Sequence, residues 1–174
     1  MSTAVQAILD NRSTIYGDFN SNINACASII CVLNIPQHNH QVRHLLDIYV
    51  TKLVRLAVTP GHIDSHIDIA GYTKLILGID YEPFNLTEPQ EGLETRVAKV
   101  PEIMGTLEGL YKFNRDANYN SNDYKILEKY VTYLVQLFLD EGREFLHLTQ
   151  VHALAAVRHY EAMITMRLME ASND

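Results

Sequence analysis

The chain has 174 residues, 47% of them hydrophobic and 20% charged, enough for one domain with a packed core or one core with an extension. Its 21 acidic and 14 basic residues give a net charge of −7. That balance excludes sequence-independent nucleic-acid binding through a broad basic face, so nucleic acid is not an expected partner. No run approaches the roughly 20 apolar residues of a membrane helix, so no membrane partner is expected either. The opening "MSTAVQAILDNR" lacks the basic and apolar regions of a secretory leader, and the expected location is cytoplasmic. Cys26 and Cys31 are five apart, on different faces of a helix, which argues against a disulfide between them. They are read as buried, reduced thiols.

Residues 3–10 read as a short helix and Asn11–Asp18 as a loop pivoting on Gly17. The pattern is helical from Phe19 to Leu33, with Phe19, Ile23, Ala27 and Ile30, joined by Cys26, as its apolar face. Pro36 ends it. The next helix covers 39–58, with Asn39 as N-cap and Val42, Leu45, Leu46, Tyr49, Leu53 and Leu56 as its stripe. "TPG" at 59–61 breaks the chain, and Asp64 or Ser65 opens a helix to about Leu77, with Ile67, Ala70 and Leu75 toward a core.

A linker or long loop is predicted over 79–98. A helix interrupted or started at Pro101 follows, then a polar turn at 114–123 with Asn122 or Asp123 as cap. The next segment carries Ile126, Leu127, Tyr130, Leu134, Leu137, Phe138 and Leu139, and the last carries Val151, Leu154, Val157, Met163 and Leu168. Strand signals are weak throughout. The expected fold is an all-α helical bundle: a helical region at 1–78, the linker, and a C-terminal helical region at 99–174 packed on the first.

Asp64 and Asp68 are one turn apart on a shared helix face, the placement of a Mg²⁺ or Mn²⁺ carboxylate pair. The other reading is that Asp64 caps the helix and Asp68 is solvated. His62 and His66 fall on nearly the opposite side; "HIDSH" lacks the Glu of a zinc-protease motif, and histidines at a helix start are read as surface residues. Lys52 and Arg55 share a face, and either bind phosphate or pair with Asp64 and Asp68. His147, His152 and His159 are read as core or interface histidines, and the C-terminal tyrosines as packing residues.

The stretches "RSTIYGDFNSNI" and "KLVRLAVTPGHIDSHIDIAGYTKLI" together resemble a phage and prophage family of MazG-like all-α proteins, over about residues 5–78. The matching positions are Arg12, Tyr16, Gly17, Lys52, Arg55, Asp64, Ser65, Asp68, Gly71 and Tyr72. The resemblance implies a nucleotide-binding protein, and in its enzymatic form a Mg²⁺-dependent nucleoside triphosphate pyrophosphohydrolase. Asp64 and Asp68 would be the metal and catalytic residues; Arg12, Tyr16, Lys52, Arg55 and Tyr72 would bind substrate. It further implies a homo-oligomer in the host cytoplasm. The chain departs from the family by placing Lys52 and Arg55 where a first acidic group is expected, with Asp18 or Asp47 as the nearest substitutes. The alternative is a non-enzymatic interaction protein that inhibits a host protein or sequesters a nucleotide.

Overall fold

A computed structural model describes residues 7, 13, 17–34, 40–78, 98–113, 121–137 and 142–172. The described residues form an all-α bundle of six helices: α1 (Phe19–Leu33), α2 (His40–Val58), α3 (Ile63–Gly78), α4 (Lys99–Phe113), α5 (Ser121–Gln136) and α6 (Gly142–Ala171). The expected short helix at 3–10, the Asn39 cap and the 79–98 linker fall largely or wholly outside these residues.

Local chemistry fixes the helix ends. Asp18 caps α1 by accepting from the Ser21 amide and the Ser21 hydroxyl, each at 2.8 Å. Those bonds hold its carboxyl below the usual range. Asn34 closes α1 in the left-handed region at φ 46°, its amide donating to the Ile30 and Cys31 carbonyls. Pro101 lies in the first turn of α4, where a missing amide donor breaks no helical bond.

The arrangement follows from α2. Tyr49, Val50, Leu53, Val54, Leu56 and Ala57 are all buried, so this helix is apolar around most of its circumference. It packs against α1, α3, α4 and α5, while α6 lies along α3 and α5. The broadest pairing is α3 on α6. All six helices contribute to one hydrophobic core, so the helices of 99–171 pack on those of 19–78. A fully buried leucine such as Leu53 contributes about 2 kcal/mol relative to leaving it exposed. Among the described residues no helix is long and apolar enough to cross a membrane.

Several expected core faces are wrong by a rotation of the helix. In α1 the buried residues are Ala25, Ile29 and Leu33, whereas Phe19 is 72% exposed and Ile23 and Ala27 also face outward. In α3 the core takes Ile69, Ala70, Thr73 and Ile76, and leaves Ile67 and Leu75 exposed. In α6 it takes Leu146, Ala153, Ala156, Val157 and Tyr160, and leaves Val151, Leu154 and Leu168 outside. Cys31 is exposed and Cys26 half-buried, so they are not two buried thiols; both are free. α5 ends at Gln136 and α6 begins at Gly142.

Gly17 has φ +76°, and a Cβ on it would lie 3.2 Å from Val58 Cγ1. Glycine therefore meets two demands where the chain turns onto the end of α2. Gly17→Ala is expected to destabilise the fold by about 1–2 kcal/mol, read as a lowered urea midpoint at unchanged slope.

Candidate functional site

The circumference of α2 that the core does not use carries Asp47, Thr51, Lys52 and Arg55, all half-buried. Asp47, Thr51 and Arg55 recur every four residues and Lys52 lies three before Arg55, so the four make one polar stripe along the helix. On one side it meets α1: Cys26 lies beside Thr51, Arg55 and Asp47. Burial pushes the Cys26 thiol up, the Thr51 hydroxyl and the Arg55 guanidinium pull it down, and the Asp47 carboxylate adds to the rise. Thr51 donates to the Asp47 carbonyl at 2.9 Å. Among the described residues, Asp47 Oδ1 is buried without a hydrogen-bond partner.

On the other side the stripe meets α3. Lys52 Nζ and Asp68 Oδ2 are 2.5 Å apart, with the lysine side chain 15% and the aspartate 37% exposed. The four-residue connection 59–62 turns α2 back into α3, and antiparallel helices bring these two positions level. The sequence left open whether Lys52 pairs with a carboxylate; it does, with Asp68. Arg55 lies one turn further along α2. Tyr72 is half-buried one turn beyond Asp68, and Asp64 is exposed one turn before it.

The start of α3 differs from expectation. The helix begins at Ile63, and His62 caps it: its Nδ1 accepts from the Ser65 amide at 3.2 Å and lies 2.9 Å from the buried Ser65 hydroxyl. Asp64 is therefore not the cap; it lies in the first turn, where a carboxylate favours the helix dipole. Ser65 is fully buried, its hydroxyl beside His62 Nδ1. Gly71 faces open space, where a Cβ would meet nothing within 4 Å. A mid-helix glycine costs about 1 kcal/mol relative to alanine, and packing gives no reason for it here.

His66, expected at the surface, is buried at the junction of α3, α5 and α6. Its Nε2–H donates to the Pro60 carbonyl at 2.8 Å, so Nδ1 is the acceptor for the Tyr130 hydroxyl, also at 2.8 Å. Its ring stacks on Tyr160 at 5.1 Å between centroids, and Tyr160 donates to the buried Asp123 carboxylate at 2.6 Å. Tyr49 donates to the Tyr130 carbonyl at 3.3 Å, linking this cluster to α2. Burial pushes the His66 imidazole down from 6.5 to about 4. Burial likewise raises the Tyr49 and Tyr130 phenols and lowers His152, which stands edge-on to Tyr130 and Tyr133. His147 is exposed; His159 is exposed too, but its Nε2 lies 3.0 Å from the Asn122 side chain on α5 and its ring stands edge-on to Tyr160. The sequence does carry a signal for His66: it falls in register with Ile69, Ala70, Thr73 and Ile76.

The structure thus brings Lys52 and Asp68 into contact and sets Arg55, Asp64 and Tyr72 within about a helical turn of them. Arg12 and Tyr16 lie outside the described residues. Among the described residues no group of three or more His, Cys, Asp or Glu is placed to hold a metal ion. Asp64 and Asp68 alone do not fill the six oxygen positions of Mg²⁺ or Mn²⁺. No curated protein matches the chain, and no solved structure does. Residues 1–79, the span that holds α1, α2 and α3, match a family described as a domain of unknown function, DUF6378.

Proposed function

We propose that the polar stripe of α2, with the adjoining edge of α3, binds the phosphates of a nucleotide. Lys52 and Arg55 contact phosphate oxygens, and Tyr72 borders the nucleoside. Asp64 and Asp68 hold a Mg²⁺ or Mn²⁺ ion that enters with the phosphates; the ion neutralises phosphate charge and, in the enzymatic form, supplies an activated water. The narrower form of the reading is a pyrophosphohydrolase that splits a nucleoside triphosphate into monophosphate and pyrophosphate. The observation that carries the reading is the Lys52–Asp68 contact, a cation and an anion at one point of a solvent-reaching seam beside a second cation. Gly71, open and without a packing role, leaves the neighbouring surface clear. The family resemblance over residues 5–78 supports the same assignment.

Incubation with a panel of ribo- and deoxyribonucleoside triphosphates and Mg²⁺ or Mn²⁺ tests both forms. Pyrophosphate release supports hydrolysis, and a thermal shift without turnover supports binding alone. No turnover and no shift with any nucleotide overturns the reading.

A second reading rests on α6. This helix has 30 residues, about 45 Å, against 15 to 19 in the others. Ile164, Met166, Leu168 and Met169 near its end are all exposed. Exposed apolar residues at such density suit contact with another protein, either a host factor or a second copy. Aspartate substitutions at Leu168 and Met169 that abolish complex formation and leave nucleotide binding intact would assign that contact to α6.

A further inference from the structure

We infer that Asp68 occupies, in the ligand-free protein, the position on Lys52 that a phosphate oxygen takes in the complex. This rests on the phosphate-binding reading above and adds a regulatory contact to it. Among the described residues neither Lys52 nor Asp68 has a second polar partner. An ammonium carries three protons and the contact with Asp68 Oδ2 uses one, so two donors of Lys52 remain for an incoming anion. The pair sits at the seam of α2 and α3, where the lysine side chain is 15% exposed and the carboxylate 37%. The lysine side chain is thus largely buried, and the carboxylate is the more accessible partner of the pair.

A carboxylate oxygen and a phosphate oxygen are alike to an ammonium: each is an anionic acceptor at roughly 2.7–2.9 Å. An arriving phosphate therefore competes with Asp68 for the same donor. The contact keeps Lys52 extended and pointed to the seam, and it also lowers affinity for any anion. Phosphate has to displace Asp68, and the displaced carboxylate then lies beside the bound phosphates, where a divalent cation relieves the repulsion.

The test is binding of inorganic tripolyphosphate in the presence of EDTA, measured by calorimetry on the full chain. Asp68→Asn removes the competing charge and keeps the shape. It is expected to bind tripolyphosphate about fivefold more tightly than the unaltered protein. Glu102→Gln, an exposed change on the first turn of α4, controls for net charge and is expected to move affinity by less than about twofold. Asp68→Ala repeats the measurement if the asparagine variant fails to fold. Equal or weaker binding by Asp68→Asn, or an equal gain in Glu102→Gln, overturns the inference and leaves the phosphate reading standing. Tripolyphosphate that binds none of the proteins in EDTA overturns the inference, and the phosphate reading is then decided by the nucleotide panel with Mg²⁺ or Mn²⁺.

Discussion

Between pH 6.5 and pH 4 the protein is expected to lose about 3 kcal/mol of stability through His66. The folded imidazole titrates near 4 because it is buried, and the unfolded one near 6.5. The folded value lies below the unfolded value, so within that window the unfolded chain binds more protons. Stability from the neutral ring is fully present above about 6.5, falls as the pH drops, and is fully lost below about 4. Burial is the cause, and it outweighs the Pro60 carbonyl, which accepts from Nε2–H and favours the protonated ring; a proton added on Nδ1 would also face the Tyr130 hydroxyl that Nδ1 accepts from. The groups around the ring are Tyr130 and Asp123 on α5, Tyr160 and His152 on α6, and His62 at the start of α3; of these the carboxylate of Asp123 favours the proton, and His62 and His152 oppose it. His66→Gln retains a donor and an acceptor without a titrating group. Urea unfolding at pH 7 and pH 4.5 should show a steep fall for the unaltered protein and a shallower one for the variant. Equal slopes in the two would remove His66 as the cause.

Lys52→Gln is expected to weaken nucleotide binding by about tenfold to a hundredfold, the weight of one charge-assisted hydrogen bond. Its cost to folding is below about 1 kcal/mol, because Asp68 is 37% exposed and water replaces the lost partner. This contrast separates a ligand-binding pair from a structural one. A structural ion pair gives the opposite pattern, with a lowered melting temperature and unchanged affinity. Equilibrium binding and thermal denaturation on the same variant read both quantities.

The extents of the first helices were legible in the sequence because their ends are local chemistry: Phe19–Leu33 follows from its apolar run before Pro36, and His40–Val58 from its stripe between two proline-containing breaks. The Asp18 cap and the division between α5 and α6 were not. Which face of each helix is buried was less legible. In α1, "NACASIICVL" is apolar on nearly every side, so periodicity does not choose between the Ile23 face and the Ile29 face. In α6 the core selects Ala153 and Ala156, whose small side chains let helices approach closely, over the larger Val151 and Leu154. Hydrophobicity ranks those positions the wrong way. His66 was misread because the partner that makes its burial tolerable, Tyr130, is 64 residues away in sequence. The Lys52–Asp68 pair was legible as one of two options because both lie on helices joined by a short turn, which limits how they can meet.

The most direct measurement is a crystal structure of the protein with a nucleoside triphosphate and Mn²⁺. Phosphate oxygens are expected within hydrogen-bond reach of Lys52 and Arg55, with Asp68 displaced from Lys52 and the ion against Asp64 and Asp68. A nucleotide seated elsewhere on the bundle, with the Lys52–Asp68 contact intact, would contradict that placement.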